Sequence, residues 1–442
     1  MGRRRRDIPL AVYMNGRRVG TLLRESDGAT SFRYHEDWLG WSHAFAVSLA
    51  LPLGDQRQHG PKVLAVFDNL LPDNGALRRA LAERMGAGGD DPHALLAVIG
   101  RDCVGALQFL PEDEAPGDPF QTDSIPLDHH QIATMLRGLG RHPLGLSRDH
   151  AFRISVAGAQ EKTSLLWDDG WRLPLGLTAT THLIKTRMGQ LLHGIDMSTS
   201  LENELLCLRL ARAFGFEAND AHIENFDGFD ALVIQRFDRR LSKGRRLRLP
   251  QEDLCQTMGV TSTRKYEQDG GPGMVDCLRL LAGSANAIAD RATFLAAQIF
   301  FWMIGATDGH AKNFSIFLEP AGFRMTPLYD ILSAEPARAS GQVRHQQLQM
   351  AMAAIGASRH YRIDQIHPRH FAQTARLADL GDAVIDRAFA QLVQYSPTLF
   401  DEVEANLPNG FARTVSGPIL SAARLRFEHI RQYAASRKGF PF

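Results

Sequence analysis

Apolar and polar positions alternate with a period of two through "LAVYMNGRRVGTLL", Leu10 to Leu23, and Asn15-Gly16 interrupts the alternation at its centre. That pattern predicts two strands joined by a type I′ turn, because only residues tolerant of positive φ fit both central positions. Downstream, "FDNLLPDNGALRRALAERMGA" offers Asp73 or Asn74 as the cap of an Ala/Leu/Arg-rich helix, so the first part of the chain reads as mixed α and β. The acidic, proline-containing stretch Pro111 to Ser124 reads as a linker. From Phe152 the order is strand ("FRISV"), small-residue loop ("AGAQEK"), then a hairpin ("TSLLW" and "WRLPL") turning at Asp168-Asp169-Gly170. A further strand, "THLIK", sends Lys185 out on the same face as Leu183. Thr199-x-x-Glu202 reads as a capping box opening a helix with Leu201, Leu205 and Leu208 on one face. Two more strands flank Asp227-Gly228, and beyond Pro250 helical periodicity dominates. The most apolar window, "FLAAQIFFWMIGA", falls short of the roughly 20 residues of a membrane span and predicts a buried helix.

Composition narrows the classes. The 442 residues are 44% hydrophobic and 22% charged, enough for two or three subdomains with a substantial core. Fifty basic side chains against forty-nine acidic ones leave a formal charge of +1, so no global field draws the chain to nucleic acid or an anionic membrane. Cys103, Cys207, Cys255 and Cys277 form no C-x-x-C pair, which argues against zinc and disulfide frameworks and for a reducing cytoplasm. The arginine-rich start is followed by a short strand-like run and does not read as a secretory signal.

The chemistry collects where "FFWMIGATDGHAKNFSIF" turns abruptly polar. Asp308 and Asn313 stand at the D-x-x-x-x-N spacing of a kinase catalytic loop, in which the aspartate takes the proton of the attacking hydroxyl and the asparagine holds magnesium. Asp330 follows as a second hard oxygen ligand, flanked by Tyr329 and Ile331 in place of the usual Phe-Gly. Upstream, the order of small-residue loop, lysine strand, helix, two strands and hinge is that of a kinase nucleotide lobe. Such a lobe needs backbone donors above the phosphates, one cation beside them and a hinge for adenine. Lys162-Thr163 imitates the end of a Walker A motif, but the required glycines are absent. Glu202 and Glu204 are both candidate partners for Lys185. The basic run Arg236 to Pro250 reads as a solvated loop or hairpin tip, and His129, His130, His345, His367 and His370 show no metal-binding spacing.

"RISVAGAQEKTSLL", "THLIK", "VIQRFDRR", "RLPQEDLCQTMGV", "KYEQDGGPGM", "IGATDGHAKNFS" and "TPLYDILSA", in that order, resemble the HipA toxins, serine/threonine kinases of HipA–HipB toxin–antitoxin systems. The resemblance implies an α+β, two-lobed protein kinase-like fold related to the phosphatidylinositol 3/4-kinases. It would have a mixed α/β N-terminal part over 1–125, a β-rich nucleotide-binding part over 126–255 and an all-α C-terminal lobe over 256–442. It implies ATP and Mg²⁺ as cofactors, Asp308 as catalytic base, and Asn313 and Asp330 as metal ligands. Val156, Ala157, Gly158, Ala159, Gln160, Glu161, Lys162 and Thr163 would cover the phosphates, with Lys185 and His310 also contacting nucleotide. Gln235 and Phe237 would meet adenine through backbone atoms, Arg236 between them would also bind nucleotide, and Asp238 would lie near the ribose. Ser155 would be an autophosphorylation site that switches the enzyme off. The implied partners are a dimeric HipB-like helix-turn-helix antitoxin, operator DNA reached chiefly through it, and glutamyl-tRNA synthetase as substrate, in the bacterial cytoplasm with no membrane association. A nucleotide-binding corepressor without catalysis is the competing expectation, and a small-molecule kinase a third.

Overall fold

The computed structural model describes residues 8–25, 27–146, 154–155, 157, 160–190 and 194–437. The chain divides into two compact units, one formed by 1–186, 224–263 and 317–321, the other by 187–223, 264–316 and 322–442. The stretches expected as separate subdomains over 1–125 and 126–255 thus lie very largely together in the first unit.

In that unit β1 (Leu10–Met14) and β2 (Arg17–Arg24) form the expected hairpin, with φ of +47° at Asn15 and +84° at Gly16. They join β3 (Thr30–Tyr34), β4 (Gln58–His59) and β5 (Leu107–Pro111) in the order β4-β3-β2-β1-β5. Asn74, not Asp73, caps the helix Gly75–Met85, its side chain accepting from the amides of Ala76 and Leu77. Phe32, Phe67 and Phe109 stack edge to face or tilted at the centre of the core, each contributing about 1.5–3 kcal/mol by burial. A second sheet uses β6 (Ser124–Pro126), β7 (Lys162–Trp167), β8 (Trp171–Pro174) and β9 (His182–Lys185), with Phe229–Gln235 on the far side of β9.

Glu252 is a liability inside this unit. It is 2% exposed and accepts the Leu49 amide at 2.8 Å, and burial pushes its carboxyl up to about 8, against the lowering effect of its bonds to Ser48 and Leu49. The folded protein therefore keeps a proton that the unfolded chain gives up near 4.5, and stability declines as pH rises through that window. Glu252→Gln is expected to match the parent at about pH 5 and to exceed it by roughly 3–5 kcal/mol at about pH 9. Denaturant midpoints at the two pH values check this.

The second unit is predominantly helical, with Ala287–Ile304 at its centre. By length and composition this helix would be able to cross a membrane, yet 72% of it is buried inside the protein. The lobe expected to be all helical also carries a β-hairpin, Gln349–Ile355 with Arg359–Arg362. The helix Ser200–Ala213 forms as expected, but its capping box does not: the Thr199 side chain makes no cap bond. Glu202 is instead held by Arg187, at 2.6 and 2.8 Å from its two oxygens, a bidentate charge pair that outcompetes a neutral cap bond. The four cysteines are buried and free.

Candidate active site

The phosphate-facing candidates lie in the first unit. Lys162 of β7 and Lys185 of β9 are register partners, so both side chains leave the same face of the sheet, and they are 6% and 4% exposed. The Lys162 ammonium donates to the Ala157 carbonyl at 2.6 Å, which ties the small-residue loop to the strand that follows it. Gln160 donates to the Thr186 carbonyl, Thr186 donates its amide to the Glu161 carbonyl, and the Thr163 hydroxyl donates to Leu144. Val156, Gly158 and Ala159 lie outside the described residues. Ser155 is fully buried, its hydroxyl donating to the Leu70 carbonyl at 2.7 Å and its amide to the Asp102 carbonyl at 3.0 Å.

At the hinge, Gln235 is exposed at the end of its strand, paired in register with His182, and the Arg236 amide donates to the Thr181 carbonyl. Phe237 packs edge to face on Phe317 at 5.8 Å. The side chains of the hinge are largely occupied within the fold. Asp238, expected near a ribose, is 3% exposed and accepts from the Arg236 guanidinium at 2.7 and 2.9 Å and from the Gly105 amide at 2.7 Å. The Arg236 side chain is consumed by the same cluster, so only its backbone faces the hinge. A carboxylate this buried stays ionised only while its neighbours compensate it: burial opposes the charge, but Arg236 and Arg239 hold its pKa below the ordinary value. The basic run is accordingly divided. Its tip at Lys243-Gly244 turns between strands Arg239–Ser242 and Arg245–Arg248, whereas Arg239 and Arg248 at its base are buried against Asp102.

The catalytic-loop candidates lie in the second unit, and local geometry explains their placement. The helix Ala287–Ile304 ends at Gly305, whose φ of +71° reverses the chain and whose missing Cβ leaves room for Glu335. Arg426 donates to the Trp302 and Met303 carbonyls at 3.3 and 3.2 Å and to Glu335 at 2.6 Å, placing a cation at the negative end of the helix. Three residues past this stop stands Asp308, its side chain 59% exposed and its Oδ1 accepting the Tyr266 hydroxyl at 2.6 Å. His310 Nε2 is 3.9 Å from the same oxygen, and the His310 ring packs edge to face on Tyr266 at 4.9 Å. A short helical turn, Ala311–Asn313, then aims Asn313 inward, where its Nδ2 donates to the Asp330 carbonyl at 3.3 Å.

Asp330 has φ of +56°, an uncommon conformation for a residue with a side chain. Its neighbours hold it there. Leu328 exchanges backbone bonds with Glu217 and Asn219, Tyr329 donates to the Lys312 carbonyl at 2.9 Å, and Asn203 clamps Ser333 by both its backbone groups.

Comparison with known proteins decides the family. Residues 10–110 match the HipA N-terminal domain and residues 154–399 the HipA-like C-terminal domain. A putative kinase, Y4mE of Sinorhizobium fredii, is 36% identical over 330 residues, 73% of this chain and 77% of that protein. The chain belongs to the HipA family of kinases. The serine/threonine-protein kinase toxin HipA of Shewanella oneidensis is 28% identical over 343 residues, 74% of this chain and 76% of its own. The fold matches a HipA structure, solved as the Shewanella oneidensis MR-1 HipA, HipB and operator DNA complex, with a TM-score of 0.77 at 24% identity, over 97% of this chain and 100% of that one.

Seen in a HipA chain, the buried Asn313 amide fits a hard cation. Its Nδ2 is spoken for by Asp330, while its Oδ1 is buried without a hydrogen-bond partner, an orphan acceptor of the kind Mg²⁺ takes. Among the described residues no group of three or more His, Cys, Asp or Glu side chains is placed to cage a metal. Tyr266 was not legible in the sequence, although it lies in the motif "KYEQDGGPGM", because residue order does not say which loop returns to Asp308. Nor were Asn203, Glu335 and Arg426, whose roles rest on partners distant in sequence: Ser333 for Asn203, and each other for Glu335 and Arg426.

Proposed function

We propose that this chain is an ATP- and Mg²⁺-dependent protein serine/threonine kinase acting as the toxin of a type II toxin–antitoxin pair. The observation that carries the reading is the meeting of the D-x-x-x-x-N loop with the Asp330 segment through Asn313, with Asn313 Oδ1 left over. Asp308 orients the acceptor hydroxyl and takes its proton as the γ-phosphoryl group transfers in line. Tyr266 donates to the same carboxylate and restricts its rotation. Asn313 and Asp330 are the residues to hold the cation, which when bound neutralises charge on the phosphates. Lys162 and Lys185 place two positive charges opposite one another on adjacent strands, where both would attract the phosphates of a bound nucleotide.

Family membership supports the finer statements: autophosphorylation of Ser155 as the off switch, glutamyl-tRNA synthetase as the protein substrate, growth arrest and persistence as the consequence, and a bacterial cytoplasmic setting. The Shewanella complex with HipB and operator DNA supports a HipB-like antitoxin dimer and, through it, DNA as partners. Because Ser155 is buried against Leu70, its phosphorylation requires the segment to leave that site. The added charge, close to −2, then prevents its return to a buried site whose partner is a carbonyl oxygen. Incubation with γ-labelled ATP and Mg²⁺, followed by peptide mapping, is expected to place label on Ser155 and on added glutamyl-tRNA synthetase. Nucleotide binding without label on any protein would leave the corepressor reading in its place.

A further inference from the structure

Asp102 stands where three parts of the nucleotide half meet, and it is 1% exposed. Its backbone carbonyl accepts the Ser155 amide at 3.0 Å. Its carboxylate accepts the Thr180 amide at 3.1 Å and hydroxyl at 2.7 Å, just before the lysine strand, and it pairs with Arg239 at 3.0 Å and Arg248 at 2.8 Å. The Thr180 hydroxyl in turn accepts Arg236 Nη1 at 2.9 Å, and the next carbonyl, of Cys103, accepts from both Arg236 and Arg239. Arg236 and Arg239 bracket the hinge residue Phe237 and the buried Asp238.

We propose that Asp102 is a positioning residue that makes the Ser155 segment, the start of the lysine strand and the adenine hinge one mechanical unit, so that release of Ser155 also loosens the hinge. The inference rests on the kinase reading above and adds a route by which the regulatory serine reaches the far side of the nucleotide site. Without it, an extracted Ser155 would disturb only the loop over the phosphates. With it, losing the Ser155 amide bond removes one of the restraints on the 102–103 turn that holds both hinge arginines. Burial works against the Asp102 charge, but Arg239, Arg248, Arg236 and the Thr180 hydroxyl keep its pKa far below the ordinary carboxylate value, so the node stays ionised across the physiological range.

Asp102 itself is a poor target, because three buried arginines would be left facing Asp238 alone. Thr180→Val is the better probe: it keeps the shape and the charges and removes the hydroxyl that bridges Asp102 to Arg236, leaving their direct contact at 3.6 Å. The full-length variant is expected to bind a non-hydrolysable ATP analogue with Mg²⁺ about tenfold more weakly by calorimetry, the loss of one hydrogen bond to a charged group. Amide exchange over 154–157 should quicken in the same variant, and Thr180→Ser, which keeps the oxygen, should restore both. A folded Thr180→Val chain with unchanged affinity, or a Thr180→Ser chain as weak as Thr180→Val, overturns the proposal. In the unaltered chain the analogue should also slow exchange over 100–105 by about threefold or more, and no slowing there overturns it independently of how the variants fold. Failure of the unaltered chain to bind the analogue would take the kinase reading down as well, whereas binding without the Thr180 effect removes only the coupling.

Discussion

Asp308→Asn and Asp308→Ala are each expected to cut phosphoryl transfer by about 10²- to 10⁴-fold, the range for removal of a general base. The carboxylate is more than half exposed and accepts a hydrogen bond from the Tyr266 hydroxyl, so neither change should move stability by more than about 0.5 kcal/mol. The two variants separate position from proton transfer. Asparagine keeps an acceptor for Tyr266 and an ordered loop, yet it does not take up a proton at neutral pH; alanine loses both. Equal losses in kcat would assign the effect to proton acceptance, and a variant that transfers phosphate at the parental rate would remove Asp308 from the chemistry. Initial rates with labelled ATP, beside thermal melts of the same preparations, provide the comparison.

Asp330→Asn should cost about 10²- to 10³-fold in transfer, in line with loss of one group that stabilises charge on the transferring phosphates. Asparagine is the informative replacement because Asp330 sits at φ of +56°, a conformation that asparagine tolerates and alanine resists. Backbone strain is thereby held constant while one negative charge is removed. The Mg²⁺ concentration giving half-maximal nucleotide binding should rise more than tenfold, read by calorimetry without turnover. An unchanged Mg²⁺ dependence would place the cation elsewhere.

How much of this was legible differs from residue to residue. The Asn15-Gly16 turn, the buried helix before Gly305 and the hairpin turning at Asp168-Asp169-Gly170 follow from local rules: positive φ, apolar periodicity and alternation; of the strand expected over "FRISV", the described residues Ile154 and Ser155 are not in a strand. Lys162 and Lys185 were both visible as cations, but their register opposition was not, since pairing is a property of two strands. Thr199-x-x-Glu202 matched a capping signature and failed because Arg187 offers Glu202 a bidentate partner. Asp238 was assigned to a ribose by its position after the hinge, and it is buried because Arg236 and Arg239 fold back over it. The arginine run from 236 to 250 looked uniformly solvated in a one-dimensional reading, yet its base is among the most buried charge in the protein.

Residue type and spacing set out which chemistry was on offer: a catalytic-loop spacing, a later aspartate, a lysine strand and a set of family motifs in kinase order. Those signals are local, encoded in residue type and separation, and they survive without coordinates. Which of those groups are spent on holding the fold, and which keep unused hydrogen-bonding capacity, depends on the folded chain. Asn313 Oδ1 is left over, Asp238 is consumed, and Ser155 is buried against Leu70. The reason is that hydrogen-bond capacity is finite and is allotted by distant neighbours, so the free valence of a polar side chain cannot be read from the residues beside it in the chain.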